Sequence, residues 1–135
     1  MRKMISVYLS HPWECKEQAS LLQRTMENMG LVVVNPFDHQ TIGEPLKITN
    51  QDEKFVKDCD VTFLYIPEVW VMYGLGVGAE GEIAYKANKT IIGLVHPRLK
   101  EHYWIRRWCS LNVFTTDQPL NDCLAQLDKM VNGLQ

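Results

Sequence analysis

Residues 4–34 read MISVYLSHPWECKEQASLLQRTMENMGLVVV, and the fold class follows from them. Met4 to Leu9 is a short, mostly apolar run with two β-branched residues and one aromatic, which predicts a strand. From Glu14 to Met29 the apolar residues Cys15, Ala19, Leu22, Met26 and Met29 recur at steps of three and four, which predicts a helix. Gly30 stops it. Leu31 to Val34 is apolar throughout, as strands of a buried parallel sheet are. Strand, helix and buried strand in succession signal α/β architecture.

The pattern continues along the chain. Residues 35–50, rich in Pro, Gly, Asn and His, read as a loop, and Gln51 to Cys59 as a short helix. Asp60 to Ile66 is a third strand. Residues 67–75, with Trp70 and Tyr73, form a second loop, and Gly76 to Asn88 continues as a helix. Thr90 to Val95 and Leu111 to Phe114 are the fourth and fifth strands. Residues 96–109, with Tyr103, Trp104 and Trp108, read as a partly exposed excursion between them. Pro119 to Val131 closes as a helix striped by Leu120, Leu124, Leu127 and Val131. Five strands with intervening helices predict a flavodoxin-like three-layer sandwich on a five-stranded parallel sheet. Right-handed crossovers place every strand C-terminus on one edge, where ligands bind beside the topological switch point. The segments Tyr8–Trp13, Asn35–Glu44 and Ile66–Gly78 should meet there.

Composition narrows the function classes. The 135 residues, 46% hydrophobic and 22% charged, make one domain, residues 1–135, with a real core. A net charge of −2 with scattered cations gives no footprint for nucleic acid or an anionic membrane. No apolar stretch is long enough to span a bilayer. Cys15, Cys59, Cys109 and Cys123 form no C-x-x-C pair, so no metal site is expected, and isolated thiols suggest a reducing, cytoplasmic compartment.

Two carboxylates stand out by helical phase. Glu80, in the run Gly76-Val77-Gly78-Ala79-Glu80, precedes Ile83, Ala84 and Ala87 by three, four and seven residues. It therefore shares the core-facing stripe of its own helix, whereas Glu82 lies roughly 200° around and should face solvent. A carboxylate at a helix start can be held ionised by backbone N–H groups and the dipole, and capping alone would also explain it. Asp52 stands in the same relation to Phe55, Val56 and Cys59, at the start of its own short helix, where it too could simply be an N-cap. Two inward carboxylates on one sheet edge form a candidate acid/base or nucleophile pair. Gly76-x-Gly78-x-x-Gly81 matches the dinucleotide fingerprint in letters only, because a nine-residue loop separates it from the preceding strand. Tyr8 ends the first strand and reads as a half-buried aromatic. His11, Trp13, His39 and Trp70 lie in the edge loops, where aromatics either stack on a base or simply pack.

These residues resemble the nucleoside 2-deoxyribosyltransferases and the related 2′-deoxynucleoside 5′-phosphate N-hydrolases. Leu75 to Glu80, then Ala84 and Asn88-Lys89, is similar to the catalytic segment of the hydrolases. Val7-Tyr8-Leu9-Ser10-His11-Pro12 is similar to the transferases' first-strand motif, and Asn35-Pro36-Phe37-Asp38 to their second strand end. Asp52 matches the spacing of the family's helix aspartate. The resemblance implies a flavodoxin-like homodimer or higher homo-oligomer, without cofactor, that cleaves an N-glycosidic bond of a deoxynucleoside or its monophosphate. In that reading Glu80 is the nucleophile, Asp52 binds sugar hydroxyls or assists proton transfer, and Tyr8 orients Glu80. Ser10, His11, Trp13, Asn35, Phe37, Asp38, Gly74, Gly76 and Gly78 are the candidate substrate contacts. Gly74 stands where the hydrolases carry a phosphate-binding serine. The alternative reading is a non-catalytic nucleotide-binding or sensing domain of the same fold. A purely partner-binding domain would use Tyr103, Trp104 and Trp108 as its contact surface.

Overall fold

A computed structural model of the chain describes residues 3–38, 45–69 and 75–135. Its strands are β1 (Ser6–Ser10), β2 (Val32–Val34), β3 (Val61–Ile66), β4 (Thr90–Val95) and β5 (Val113–Thr115). They form one parallel sheet in the order β2-β1-β3-β4-β5. The helices are α1 (Lys16–Asn28), α2 (Pro45–Asp58), α3 (Leu75–Lys86), α4 (Tyr103–Cys109) and α5 (Leu120–Leu134). This is the expected three-layer α/β sandwich with flavodoxin-like strand order.

Side chains alternate across a strand, so each strand feeds both layers. Val7, Leu9, Val61, Phe63 and Ile92 point to one face, where they pack with Ala19, Leu22 and Met26 of α1 and Cys123, Leu127 and Val131 of α5. Tyr8, Leu64, Ile66 and Ile91 point to the other, against α2, α3 and α4. Tyr8 is fully buried rather than half-buried, because it lies under the second helical layer. The register sets Tyr8 opposite Val34 and Thr62, and Ser10 opposite Leu64. β1 therefore presents Tyr8 and Ser10, two residues apart, to the same helical layer.

Beyond shifts of one to three residues at other element ends, three differences from expectation stand out. α2 starts at Pro45 instead of Gln51. Proline is favourable at a first helical position, but the side chains that follow, with Leu46 72% exposed, show no apolar stripe. Asp52 consequently sits in mid-helix and is no N-cap. The excursion at 96–109 contains α4, capped by His102, whose Nδ1 accepts from the Trp104 N–H. Its buried face is Ile105, Trp108 and Cys109. β5 begins at Val113 because Leu111 is exposed.

Candidate active site

β1 ends in Tyr8-Leu9-Ser10, and α3 lies over that end with Glu80 in its second turn. The Glu80 side chain faces β1, as helical phase predicts, and is 7% exposed. Tyr8 Oη donates a hydrogen bond to Glu80 Oε2, and Ser10 Oγ donates to Glu80 Oε1 at 2.7 Å. Each carboxylate oxygen thus has a hydroxyl donor from β1. No acidic residue occupies the first turn of α3, so the expected helix-start role of Glu80 does not hold. Burial pushes its carboxyl up to about 7, against the two hydroxyl bonds that pull it down; nearby Asp52 adds to the rise. Burial also holds the Tyr8 phenol far above its ordinary value, so it remains a donor at any working pH.

Glu80 forms part of the wall of a cleft of about 240 Å³. Asp52, from α2, lines the same cleft, so the two carboxylates singled out by phase do converge. Asp52 Oδ1 is buried without a hydrogen-bond partner among the described residues, and burial raises its pKa. A buried acceptor left unpaired is costly, which makes Asp52 a natural acceptor for a ligand hydroxyl.

The aromatic side of the cleft is made by the ends of β1 and β2. His11, Trp13 and Phe37 line it, with ring centroids 4.8 Å apart for His11–Phe37 and 5.3 Å for Trp13–Phe37, both edge-on. Asn35 stands behind them. Its Oδ1 accepts from the Phe37 N–H at 3.1 Å and lies 3.1 Å from His11 Nε2, while His11 Nδ1 lies 3.0 Å from the Pro12 carbonyl oxygen. Its Nδ2 donates to Gln23 Oε1. Burial lowers the His11 pKa, against the pull of the Pro12 carbonyl and Asn35 Oδ1, which favour the charged ring.

The glycines divide by task. Gly76 lines the cleft, with nothing within 4 Å of where a Cβ would be. Gly78 and Gly81 instead admit Trp108 of α4. A Cβ on Gly81 would lie 2.8 Å from the indole ring, and one on Gly78 would lie 3.9 Å from it. The Trp108 Nε1–H donates to Glu82 Oε1 at 3.1 Å, and Arg107 grips Glu82 with Nε and Nη2 at 3.0 Å each. Glu82, expected to face solvent freely, is thus the anchor between α3 and α4, and Arg107 holds its carboxyl down at about 2.

Of the residues expected at the site, His11, Trp13, Phe37, Asp52, Gly76 and Glu80 line the cleft. Tyr8, Ser10 and Asn35 support lining residues from behind. Asp38 and Gly78 are not on the lining, and Gly74, with His39, Trp70 and Tyr73, lies outside the described residues. Pro12, Glu14, Pro36 and Val77 line the cleft without having been singled out, although each is a chain neighbour of a residue that was. Among the described residues no group of three His, Cys, Asp or Glu side chains could hold a metal ion. No described helix is long and apolar enough to cross a membrane.

Solved structures share this architecture. The CMP N-glycosidase BcmB of Clostridium botulinum superposes with a TM-score of 0.68 over 91% of this chain and 98% of its own, at 23% identity. A conserved protein from Enterococcus faecalis V583 gives 0.72 over 95% and 99%, at 14% identity. A 2-deoxyribosyltransferase from Leishmania mexicana gives 0.66 over 90% and 95%, at 15% identity. The chain thus shares its fold with a CMP N-glycosidase and a 2-deoxyribosyltransferase. At such identities the likeness concerns the fold alone, and the chemistry rests on the residues just described. No family model and no curated relative matches the sequence.

Proposed function

We propose that the chain cleaves the N-glycosidic bond of a deoxynucleoside or deoxynucleoside monophosphate, by hydrolysis or base transfer, through a covalent glycosyl–Glu80 intermediate. The observation that carries this reading is Glu80 itself: a buried carboxylate on a cleft wall, gripped by two hydroxyls and facing the same space as Asp52. Those hydroxyls fix the side chain's rotamer and stabilise its ionised form, as a positioned nucleophile requires. In the first step a Glu80 oxygen bonds to the anomeric carbon while the glycosidic C–N bond breaks. The bonding pair leaves with the base nitrogen, which takes up a proton. Positive charge developing on the sugar is stabilised by the carboxylate in a water-poor site. In the second step water, or a second base, attacks the same carbon and releases Glu80. Asp52 accepts hydrogen bonds from sugar hydroxyls and assists the proton transfers. Trp13, Phe37 and His11 form the platform for the base.

Purified protein incubated with deoxynucleosides and their monophosphates should release free base, and Glu80→Ala should abolish release. Absence of release with every substrate, or an Ala variant as active as the parent, would refute the reading. The sensing alternative draws support from one observation: burial raises the pKa of both Glu80 and Asp52, which works against the ionised nucleophile that cleavage needs. Ligand-induced thermal stabilisation without turnover would favour it.

A further inference from the structure

Behind the aromatic wall, one buried amide joins three parts of the chain. Asn35 is 4% exposed and His11 2%, so their polar atoms find partners inside the protein. Asn35 Oδ1 accepts from the Phe37 N–H, the contact that closes an Asx turn after a strand. A turn requires nothing more. Yet the same oxygen also faces His11 Nε2, and Nδ2 donates to Gln23 Oε1 on α1 at 3.1 Å. The amide's orientation is fixed, because reversing it would set its NH2 group against the Phe37 N–H. The Pro12 carbonyl oxygen faces the other His11 ring nitrogen, so protein oxygens at both nitrogens set the plane of the imidazole. Phe37 lies edge-on to His11, and Trp13 edge-on to Phe37. A single carboxamide oxygen thus orders the first two rings of a chain of three that lines the cleft.

We propose, building on the glycosidase reading, that Asn35 is the positioning residue of the base platform, acting through His11 and the Phe37 backbone without touching the substrate. The platform holds the base equally before and during bond cleavage, so loosening it weakens binding and leaves the chemical step intact. The charged groups around His11 are Asp38, which favours its charged form, and Glu14, Asp52 and Glu80 on the same cleft. None of them replaces the oxygen that Asn35 sets at Nε2.

The test measures kcat and KM for 2′-deoxynucleosides, and the His11 titration by NMR, assigned from its loss in His11→Gln. Asn35→Ala should raise KM about tenfold, with kcat within about threefold of the parent. Asn35→Asp keeps an acceptor for both the Phe37 N–H and His11 Nε2, so KM should return to within about threefold of the parent. Its carboxylate should also move the His11 titration upward by about one pH unit or more. Where Asn35→Ala does not fold, Gln23→Ala, at a half-buried position, should raise KM about threefold at unchanged kcat. A fall in kcat at unchanged KM, an unchanged KM in either alanine variant, or a His11 titration unmoved in Asn35→Asp overturns the proposal. Should no substrate be cleaved by the parent, the glycosidase reading fails separately, and calorimetric binding of the same deoxynucleosides decides this one. Weaker binding by Asn35→Ala, recovered in Asn35→Asp, sustains it; equal binding by all three, or binding by none, overturns it.

Discussion

Glu80 is pulled in two directions, and the balance can be measured. Burial favours its acid form, while the Tyr8 and Ser10 hydroxyls favour the carboxylate. In Tyr8→Phe the ionised form loses a donor, so the carboxyl should titrate higher. A hydrogen bond to a charged group contributes about 1.5–3 kcal/mol, or about one to two pH units. The acidic limb of the kcat/KM profile should lie near pH 7 in the parent and move upward by about that much. A limb that stays in place would show that Tyr8 does not tune Glu80. Stability should follow the same group. The folded pKa of about 7 exceeds the ordinary value of 4.5, so the native state holds a proton that the unfolded chain has released between those values. Its stabilising contribution is present below about pH 4.5 and is lost as pH rises through about 7, by on the order of 3 kcal/mol. Urea denaturation across this window should show that decline, and Glu80→Gln should flatten it. Asp52 offers a contrast. Asp52→Asn should lower turnover tenfold or more while leaving stability unchanged or higher by about 1 kcal/mol, because it removes the partly desolvated charge while keeping the side chain's shape.

The glycine run of α3 belongs to the element scale. Read in one dimension, its glycines make room for a sugar beside Glu80; in the fold, Gly78 and Gly81 make room for Trp108. That partner lies 27 residues beyond Gly81, on a helix whose apolar stripe is masked by arginines and aromatics, so no local pattern could reveal it. Gly81→Ala should destabilise the protein by about 1–3 kcal/mol through overlap with an indole already tied to Glu82, outweighing a helix-propensity gain of about 1 kcal/mol. Gly78→Ala meets only ordinary contact and should be neutral or slightly stabilising, with turnover retained. Thermal melts of the pair would separate the two roles. Continuous apolar runs made the strands legible; Thr90–Val95 is observed as read. The start of α2 was hidden because its first turns carry no buried stripe to betray them.

At the scale of the whole molecule, strand order does the assembling. With β1 between β2 and β3, the chain reverses direction across the sheet at β1, and the cleft opens where β1 ends. Alternation along β1 sends Tyr8 and Ser10 towards α3, while helical phase on α2 and α3 turns Asp52 and Glu80 inward. Periodicity therefore made the two carboxylates legible without any contact information. The hydroxyl grip on Glu80 also needed the register of β1 beneath α3, which spacing alone does not supply. The central claim is the covalent glycosyl–Glu80 intermediate, and trapping it is the most direct measurement. Enzyme reacted with a deoxynucleoside whose sugar carries a 2′-fluorine, which slows release, should gain the mass of one fluorosugar. The gain should map to the peptide bearing Glu80 and be absent from Glu80→Gln. Free base released at the parent rate by Glu80→Gln, or a sugar adduct found on any other residue, would contradict it.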